Sequence, residues 1–278
     1  MSRYFTDKTR EKKKMKKLLV AVLALVMAFG LIACAKKTPS NGGSDMEYVK
    51  NKGKLVVGIT DFAPMDYKDD NGKWIGFDAE MAEAFGKSLG VEVEFVEINW
   101  DNKILELDGK TIDCVWNGMT LREDVMAAMS CTNAYCNNSQ VVIIPSEDAD
   151  KYTTVESLKD LNFAVEAGSA GYDVAVANKL NCTEVTAQAD ALMEVASGTS
   201  DAAIIDSLMA AAMVGEGTSY KDLTYTVRLN DEKYGVGFRK GSDLTEELNK
   251  FFKACYEDGS MMEIAEKYGV QAAIVEQK

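Results

Sequence analysis

Histidine is missing from this chain of 278 residues, and its absence removes whole classes of chemistry. No Ser-His-Asp triad, Cys-His dyad or common His-containing zinc site can be built without it. The sequence also has no CxxC pair, no GxxxxGK[ST] phosphate loop and no GxGxxG dinucleotide fingerprint. We therefore expect no bound metal and no cofactor.

Proline is scarce, with 3 residues, and 21 glycines are too few for a collagen-like or low-complexity chain. Hydrophobic residues make up 47% of the sequence, which is enough for a sizeable core and argues against global disorder. The length corresponds to about two domains. A net charge of −13 makes the chain a poor candidate for nucleic-acid binding.

Residues 1–37 have the layout of a secretory signal. Residues 1–33 hold eight basic side chains against two acidic ones, although the rest of the chain is strongly acidic. Residues 18–32 carry no charge, and small residues follow them. A complete signal begins at Met15, so residues 1–14 are interpreted as an upstream extension. The uncharged stretch is borderline in length for a membrane span, so a retained single-span anchor is the alternative.

The end of that stretch, Leu31-Ile32-Ala33-Cys34, resembles the lipobox of bacterial lipoproteins. The resemblance implies cleavage before Cys34, which leaves residues 1–33 as the signal peptide. It also implies diacylation of the Cys34 thiol, and two acyl chains anchor a protein stably to a membrane. Residues 34–48 then read as a lipidated flexible tether, since their composition is typical of linkers.

Five cysteines lie beyond Cys34, so at least one of them cannot pair within the chain. Cys131 and Cys136 are close enough for a short-loop disulfide. The alternative is that most of the five are small buried hydrophobic residues. They are Cys114, Cys131, Cys136, Cys182 and Cys255.

Strand and helix patterns alternate along the rest of the chain. Residues 55–60 form an apolar run typical of a strand buried on both faces, and residues 78–89 have the periodicity of a helix that Gly90 ends. The pattern restarts with a strand at residues 163–165, and another strand follows at residues 202–205. This alternation predicts parallel sheets with right-handed crossovers, arranged in two α/β lobes.

Two loops at predicted strand ends carry the chemistry of a ligand site, because open α/β sheets bind ligands there. Ser169 and Ala170 begin a helix whose free backbone N–H groups suit a carboxylate; the alternative is an ordinary strand-to-helix turn. Asp206 follows an apolar strand and could pair with an ammonium group; the alternative is a helix N-cap.

Four more residues follow strands in the same way. Phe62 and Trp100 could form flat walls around a small ligand, or simply pack in the core. Asn117 and Thr120 could supply directional hydrogen bonds, or cap the next helix. Each signal is weak alone, and their common position at strand ends gives them weight.

These residues carry a resemblance to the extracellular solute-binding proteins for polar amino acids. It extends over residues 50–272, nearly the whole chain behind the tether. The segments that match in order include residues 53–60, Gly76-Phe77-Asp78, Gly118-Met119-Thr120, Tyr135, Ala167-Gly168-Ser169, Asp206-Ser207 and Tyr234-Gly235-Val236.

The resemblance implies an α/β, two-lobed periplasmic-binding-protein-like fold, in which each lobe is a mostly parallel sheet flanked by helices. Residues 49–143 and 236–278 would form lobe 1, and residues 144–235 lobe 2. Two hinge strands would join the lobes, with crossings near residues 141–146 and 233–238.

Transferred position by position, the resemblance also implies roles for site residues. The implied contacts are Phe62 and Trp100 for the aromatic walls, Gly118 and Thr120 for lobe 1, Ser169 and Ala170 for the α-carboxylate, and Asp206 for the α-ammonium group.

One position departs from the family pattern. The family usually has an arginine five residues after Thr120, where it clamps the α-carboxylate, and this chain has Val125 there. Arg122 would lie on the same face if the segment were helical, and could reach the carboxylate or point into solvent.

The leading hypothesis is a lipid-anchored protein on the outer face of the cytoplasmic membrane. It would be a monomer that captures a small polar amino acid for the permease of an ABC importer. The alternative is a dehydratase of the same fold acting on a prephenate-like acid, which would need a positioned general acid. A sensory receptor is a third possibility, but the chain shows no fused signalling domain.

Overall fold

The computed structural model describes residues 43–278, so the signal, Cys34 and most of the tether lie outside the described residues. Residues 44–278 form one unit that contains both lobes. No helix within it combines the length and the apolar character that crossing a membrane would require.

Lobe 1 contains the first part of this unit and its C-terminal end. The predicted helix that ends before Gly90 is confirmed, and residues 69–73 form the turn of a short hairpin. The elements up to the first crossing are α1 (Asp45–Lys52), β1 (Lys54–Ile59), β2 (Tyr67–Lys68), β3 (Trp74–Ile75), α2 (Phe77–Leu89), β4 (Glu92–Glu97), α3 (Lys103–Asp108), β5 (Cys114–Thr120), α4 (Glu123–Ala128), β6 (Ser130–Cys131) and β7 (Cys136–Asn138).

Lobe 2 repeats the alternation of strands and helices. Its central strands are buried along almost their whole length, as their apolar runs predict. The elements are β8 (Gln140–Pro145), β9 (Asn162–Glu166), α5 (Ala170–Ala177), β10 (Asn181–Val185), α6 (Gln188–Ser197), β11 (Ala202–Asp206), α7 (Ser207–Met213) and β12 (Leu223–Arg228). The chain then returns to lobe 1 with β13 (Glu232–Phe238), α8 (Leu244–Asp258) and α9 (Ser260–Lys267).

Each lobe has one main sheet, and the two sheets have similar designs. The strand order is β4-β1-β5-β13-β6 in lobe 1 and β10-β9-β11-β8-β12 in lobe 2. The pairs of β1 with β4 and β5, and of β9 with β10 and β11, are parallel. The strands β8 and β13 follow the two crossings, and both run antiparallel to their neighbours. The sheets are therefore mixed, with parallel strands carrying the site.

The crossings between the lobes lie a few residues earlier than the sequence led us to expect. The first is at Ser139, between β7 and β8, and the second is at residues 229–231, between β12 and β13. The apolar residues of β8 pair with β11 and β12, so this strand belongs to the core of lobe 2. The strand β13 pairs with β5 and belongs to lobe 1. Pairing of these strands within the two sheets leaves only Ser139 and residues 229–231 between the lobes.

Candidate functional site

A narrow cavity lies between the lobes, at the carboxyl ends of the parallel strands. The structure brings together around it all nine residues expected from the sequence: Phe62, Trp100, Asn117, Gly118, Thr120, Arg122, Ser169, Ala170 and Asp206. The other lining residues are Thr60, Lys103, Met119, Val125, Gln140, Glu166 and Gln188. The cavity volume of about 20 Å³ is room for roughly one water molecule. The cavity is therefore too small for an amino acid in this arrangement, so the lobes must move apart to admit one and must lie further apart around it than they do here.

Polar contacts across the cavity hold the lobes together. Lys103 Nζ in lobe 1 donates to the carbonyl oxygen of Gly168 in lobe 2 at 3.0 Å. Arg122 Nη1 lies 3.0 Å from Asp173 Oδ2 of lobe 2. Gly168 has φ +66°, and a Cβ atom there would lie 2.6 Å from Asp101 Oδ1. The lobes thus meet in a closed arrangement that depends on a residue without a side chain.

The start of α5 presents a backbone donor to the cavity. Ser169 Oγ accepts a hydrogen bond from the Tyr172 N–H at 3.1 Å, so this hydroxyl caps its own helix. The Ser169 N–H donates to the Glu166 carbonyl oxygen at 3.3 Å. The Ala170 N–H has no acceptor among the hydrogen bonds of the described residues. A carboxylate at this helix start would therefore bind chiefly through Ala170 and the helix dipole.

Asp206 is a buried carboxyl group held by three side-chain amides. Its oxygens accept hydrogen bonds from Asn138, from Gln140 Nε2 at 2.6 Å, and from Gln188. Asp206 occupies the N-cap position of α7, as the alternative expected, but its side chain makes no capping hydrogen bond. Burial, reinforced by the Glu232 carboxylate, raises the pKa of Asp206 well above its usual range. A cation beside it would relieve this cost of burial.

Asn117 lines the cavity, but its amide is engaged within lobe 1. Its Oδ1 accepts hydrogen bonds from the Thr60 N–H at 2.9 Å and from the Thr60 hydroxyl at 2.7 Å. Its Nδ2 donates to the Thr60 carbonyl at 3.1 Å and to Asp66 Oδ2 at 2.8 Å. Asn117 therefore fixes the loop after β1, a role that the spacing of the sequence did not indicate.

Gly118 sets the shape of the same wall. It has φ +55°, and a Cβ atom would lie 2.4 Å from Phe62 Cε1, so a side chain would displace the aromatic wall. Its N–H donates to Asp78 Oδ2 at 2.7 Å, and the Tyr135 hydroxyl donates to the same oxygen at 2.7 Å. Burial raises the pKa of Asp78 to about 7, although these hydrogen bonds oppose the shift.

Arg122 is neither solvent-exposed nor part of a helix with Val125. It precedes the first residue of α4 with an extended backbone, so the helical relation between the two positions is absent. Its guanidinium binds Asp124, with Nη2 to Oδ2 at 2.8 Å, and bridges to Asp173 of lobe 2. Val125 packs in an apolar cluster with Trp100. The cavity is therefore apolar where the family pattern has its arginine.

Two charged residues that the sequence analysis missed face the cavity. Burial lowers the pKa of Lys103 to about 8, and the nearby Arg122 charge adds to the shift. Burial also raises the pKa of Glu166 to about 8, with Lys103 opposing it. Glu166 is the last residue of β9, just as Asp206 is the last residue of β11. Its position at a strand end could therefore have indicated a site residue. No pattern in the sequence indicated Lys103.

The described part of the chain has neither a candidate metal-binding cluster nor a disulfide bond. Residues 43–278 contain no group of three or more Cys, Asp or Glu side chains that could hold a metal ion. Their five cysteines are unpaired, so the Cys131–Cys136 bridge does not form.

Comparisons with known proteins agree with this architecture. The chain is 28% identical over 266 residues to the arginine-binding extracellular protein ArtP of Bacillus subtilis, covering 91% of this chain and 98% of the relative. An ancestral amino acid-binding protein, a precursor of cyclohexadienyl dehydratase, superposes with a TM-score of 0.74 at 31% identity, covering 81% of this chain and 99% of the other.

An ABC transporter substrate-binding protein of Streptococcus pneumoniae with bound histidine is also similar. It has a TM-score of 0.74 and 27% identity, and covers 83% of this chain and 98% of its own. Residues 55–271 match the family described as bacterial extracellular solute-binding proteins, family 3. Two lobes, a cavity at their strand ends and a family match over most of its length show that this chain belongs to the bacterial extracellular solute-binding proteins, family 3.

Proposed function

We propose that this protein captures a polar amino acid between its lobes and delivers it to an ABC importer. The observation that carries the proposal is that the Asp206 carboxyl group and the Ala170 N–H line one cavity. An α-amino acid has an ammonium group for the first and a carboxylate for the second. The arginine- and histidine-binding relatives support this ligand class.

Binding would drive closure because the ligand contacts both lobes at once. Asp206 and Ala170 would hold the ligand from lobe 2, and Thr120 and the aromatic walls would hold it from lobe 1. A ligand shifts a conformational equilibrium only by its difference in affinity for the two states, and these contacts are complete only in the closed state. The short crossings at Ser139 and residues 229–231 would serve as the hinges.

A calorimetric and thermal-shift screen of the twenty amino acids tests the proposal. At least one polar amino acid should bind, and Asp206→Asn should weaken that binding by about 2–5 kcal/mol, or at least roughly 30-fold. Asp201→Asn is the matched control, because Asp201 is exposed just before the opposite end of β11. Equal affinities for Asp206→Asn and the native protein, with both folded, would refute the assigned role.

We also propose that the protein is a monomer held on the outer face of the cytoplasmic membrane by lipid on Cys34. The lipobox-like sequence and the flexible composition of residues 34–48 support this. The native protein should incorporate a radiolabelled fatty acid in cells, and Cys34→Ala should not. A variant that still incorporates the label would contradict the lipid anchor.

A dehydratase acting on a prephenate-like acid is the second candidate function, and one observation favours it. Glu166 lines the cavity, and burial raises its pKa to about 8, so at neutral pH it is mostly a protonated acid. Such a group could act as the general acid that the reaction needs. Turnover of prephenate, followed by product absorbance and lost in Glu166→Gln, would support this function. Amino-acid binding without turnover would exclude it.

A further inference from the structure

Lys103 and Glu166 face the cavity from opposite lobes. Lys103 is 4% exposed, and its Nζ donates to the carbonyl oxygens of Trp100 at 3.1 Å and Gly168 at 3.0 Å. An ammonium group has three N–H donors, so one remains. Glu166 is 3% exposed, and its Oε1 has no hydrogen-bond partner among the described residues. The pair therefore has one spare donor and one spare acceptor.

The other charged side chains of the cavity lining already have partners. The Arg122 guanidinium is held by Asp124 and Asp173. The oxygens of Asp206 accept hydrogen bonds from three amides. Lys103 Nζ donates to two carbonyl oxygens, and it forms no ion pair with Glu166 within the part of the chain described. The unused hydrogen-bonding capacity of charged groups is thus concentrated at Lys103 and Glu166.

We propose, on the basis of the proposed function, that Lys103 and Glu166 determine specificity. They select a ligand whose side chain is uncharged and has both an N–H donor and an acceptor. A carboxamide or a neutral imidazole has this chemistry. Its N–H donates to Glu166 while its acceptor receives the spare N–H of Lys103. One ligand group then forms hydrogen bonds with both lobes, so the ligand that is selected also stabilises the closed state.

Charged side chains are disfavoured by the same arrangement. A basic side chain satisfies Glu166 but brings a second cation towards Lys103, and an acidic side chain satisfies Lys103 but has no N–H to donate to the unpartnered Oε1 of Glu166. Like charges placed together in a buried site suppress the wrong partner. Burial raises the pKa of Glu166 and lowers that of Lys103, each to about 8, so at neutral pH Glu166 is mostly protonated and Lys103 holds its charge less firmly than an ordinary lysine.

The test is a calorimetric comparison at pH 7.5 of the native protein with two variants, each of which removes one of the two ionisable groups. The native protein should bind glutamine, asparagine or histidine at least tenfold more tightly than glutamate, aspartate, arginine or lysine. Glu166→Gln should shift the ratio of affinities at least tenfold towards acidic side chains. Lys103→Met should shift it at least tenfold towards basic ones.

The outcomes separate this inference from the function on which it rests. If no amino acid binds the native protein, the proposed function fails and the inference fails with it. If amino acids bind but the native protein prefers a charged side chain, or Glu166→Gln leaves the affinity ratios unchanged, only the inference is overturned. Lys103 also holds Gly168, so Glu166→Gln decides the question should Lys103→Met not fold.

Discussion

Gly168→Ala should impair closure without impairing the fold. A Cβ atom at this position would lie 2.6 Å from Asp101 Oδ1 and 2.9 Å from Asp101 Cα, so one of its obstacles is backbone that cannot rotate away. The two lobes would have to separate by several tenths of an ångström to accept it. The contact exists only when the lobes meet, so the cost falls on the closed state alone.

The size of the effect follows from two separate costs. Overpacking of this kind costs about 1–3 kcal/mol, which corresponds to a loss of ligand affinity of about 5- to 150-fold. The backbone at φ +66° adds roughly 1 kcal/mol for any residue with a Cβ. That second cost is present in open and closed states alike, so it lowers the free energy of unfolding but cancels in the affinity.

Gly198→Ala is the control that separates these costs. Gly198 has φ +72° in the same lobe, and a Cβ atom there would have nothing within 4 Å. Both variants should lose a similar amount of unfolding free energy in denaturant titrations, but only Gly168→Ala should lose affinity in calorimetry. Equal affinities for the two variants would refute the argument that Gly168 permits closure.

Two further predictions concern charged groups. Arg122→Met should change ligand affinity by less than about fivefold. Its partners Asp124 and Asp173 are exposed, and such ion pairs contribute up to about 1 kcal/mol. A loss of affinity above thirtyfold in calorimetry would instead indicate direct contact with the ligand carboxylate. The pKa of Asp78 is raised to about 7, so the folded state retains a proton that the unfolded chain releases above about pH 4. The contribution of Asp78 to the free energy of unfolding therefore falls as the pH rises from about 4 to 7. Asp78→Asn should therefore narrow the difference in melting temperature between pH 5 and pH 8, and an unchanged difference would contradict this.

The architecture could be predicted largely from local patterns. Apolar runs located the buried strands β1, β9 and β11, since strands covered on both faces need apolar residues throughout. The loops at their ends then supplied Asp206 and Ala170, because parallel strands bring their carboxyl ends to one edge of a sheet. The restart of the pattern at residues 163–165 predicted two lobes, and the family resemblance implied the same arrangement.

The hinge positions were harder to predict because both crossings adjoin apolar strands. The run in β8 looks the same whether it passes between lobes or fills the core of one of them. Only its pairing with β11 and β12 assigns it to lobe 2 and leaves Ser139 as the crossing. Pairing partners are distant in sequence, so no local pattern could decide this.

The amino-acid sequence by itself determined which strands are buried and which loops gather at their ends, because both depend on residues near one another in the chain. Tertiary structure alone decided how the side chains there are used. It directed the amide of Asn117 to Thr60 and Asp66, and it brought Lys103 to Gly168, 65 residues away. The contacts of Asn117 depend on the pairing of β1 with β5 within lobe 1, and the contact of Lys103 depends on how the two lobes meet. Both join residues that are distant in the sequence, so no local pattern determines them.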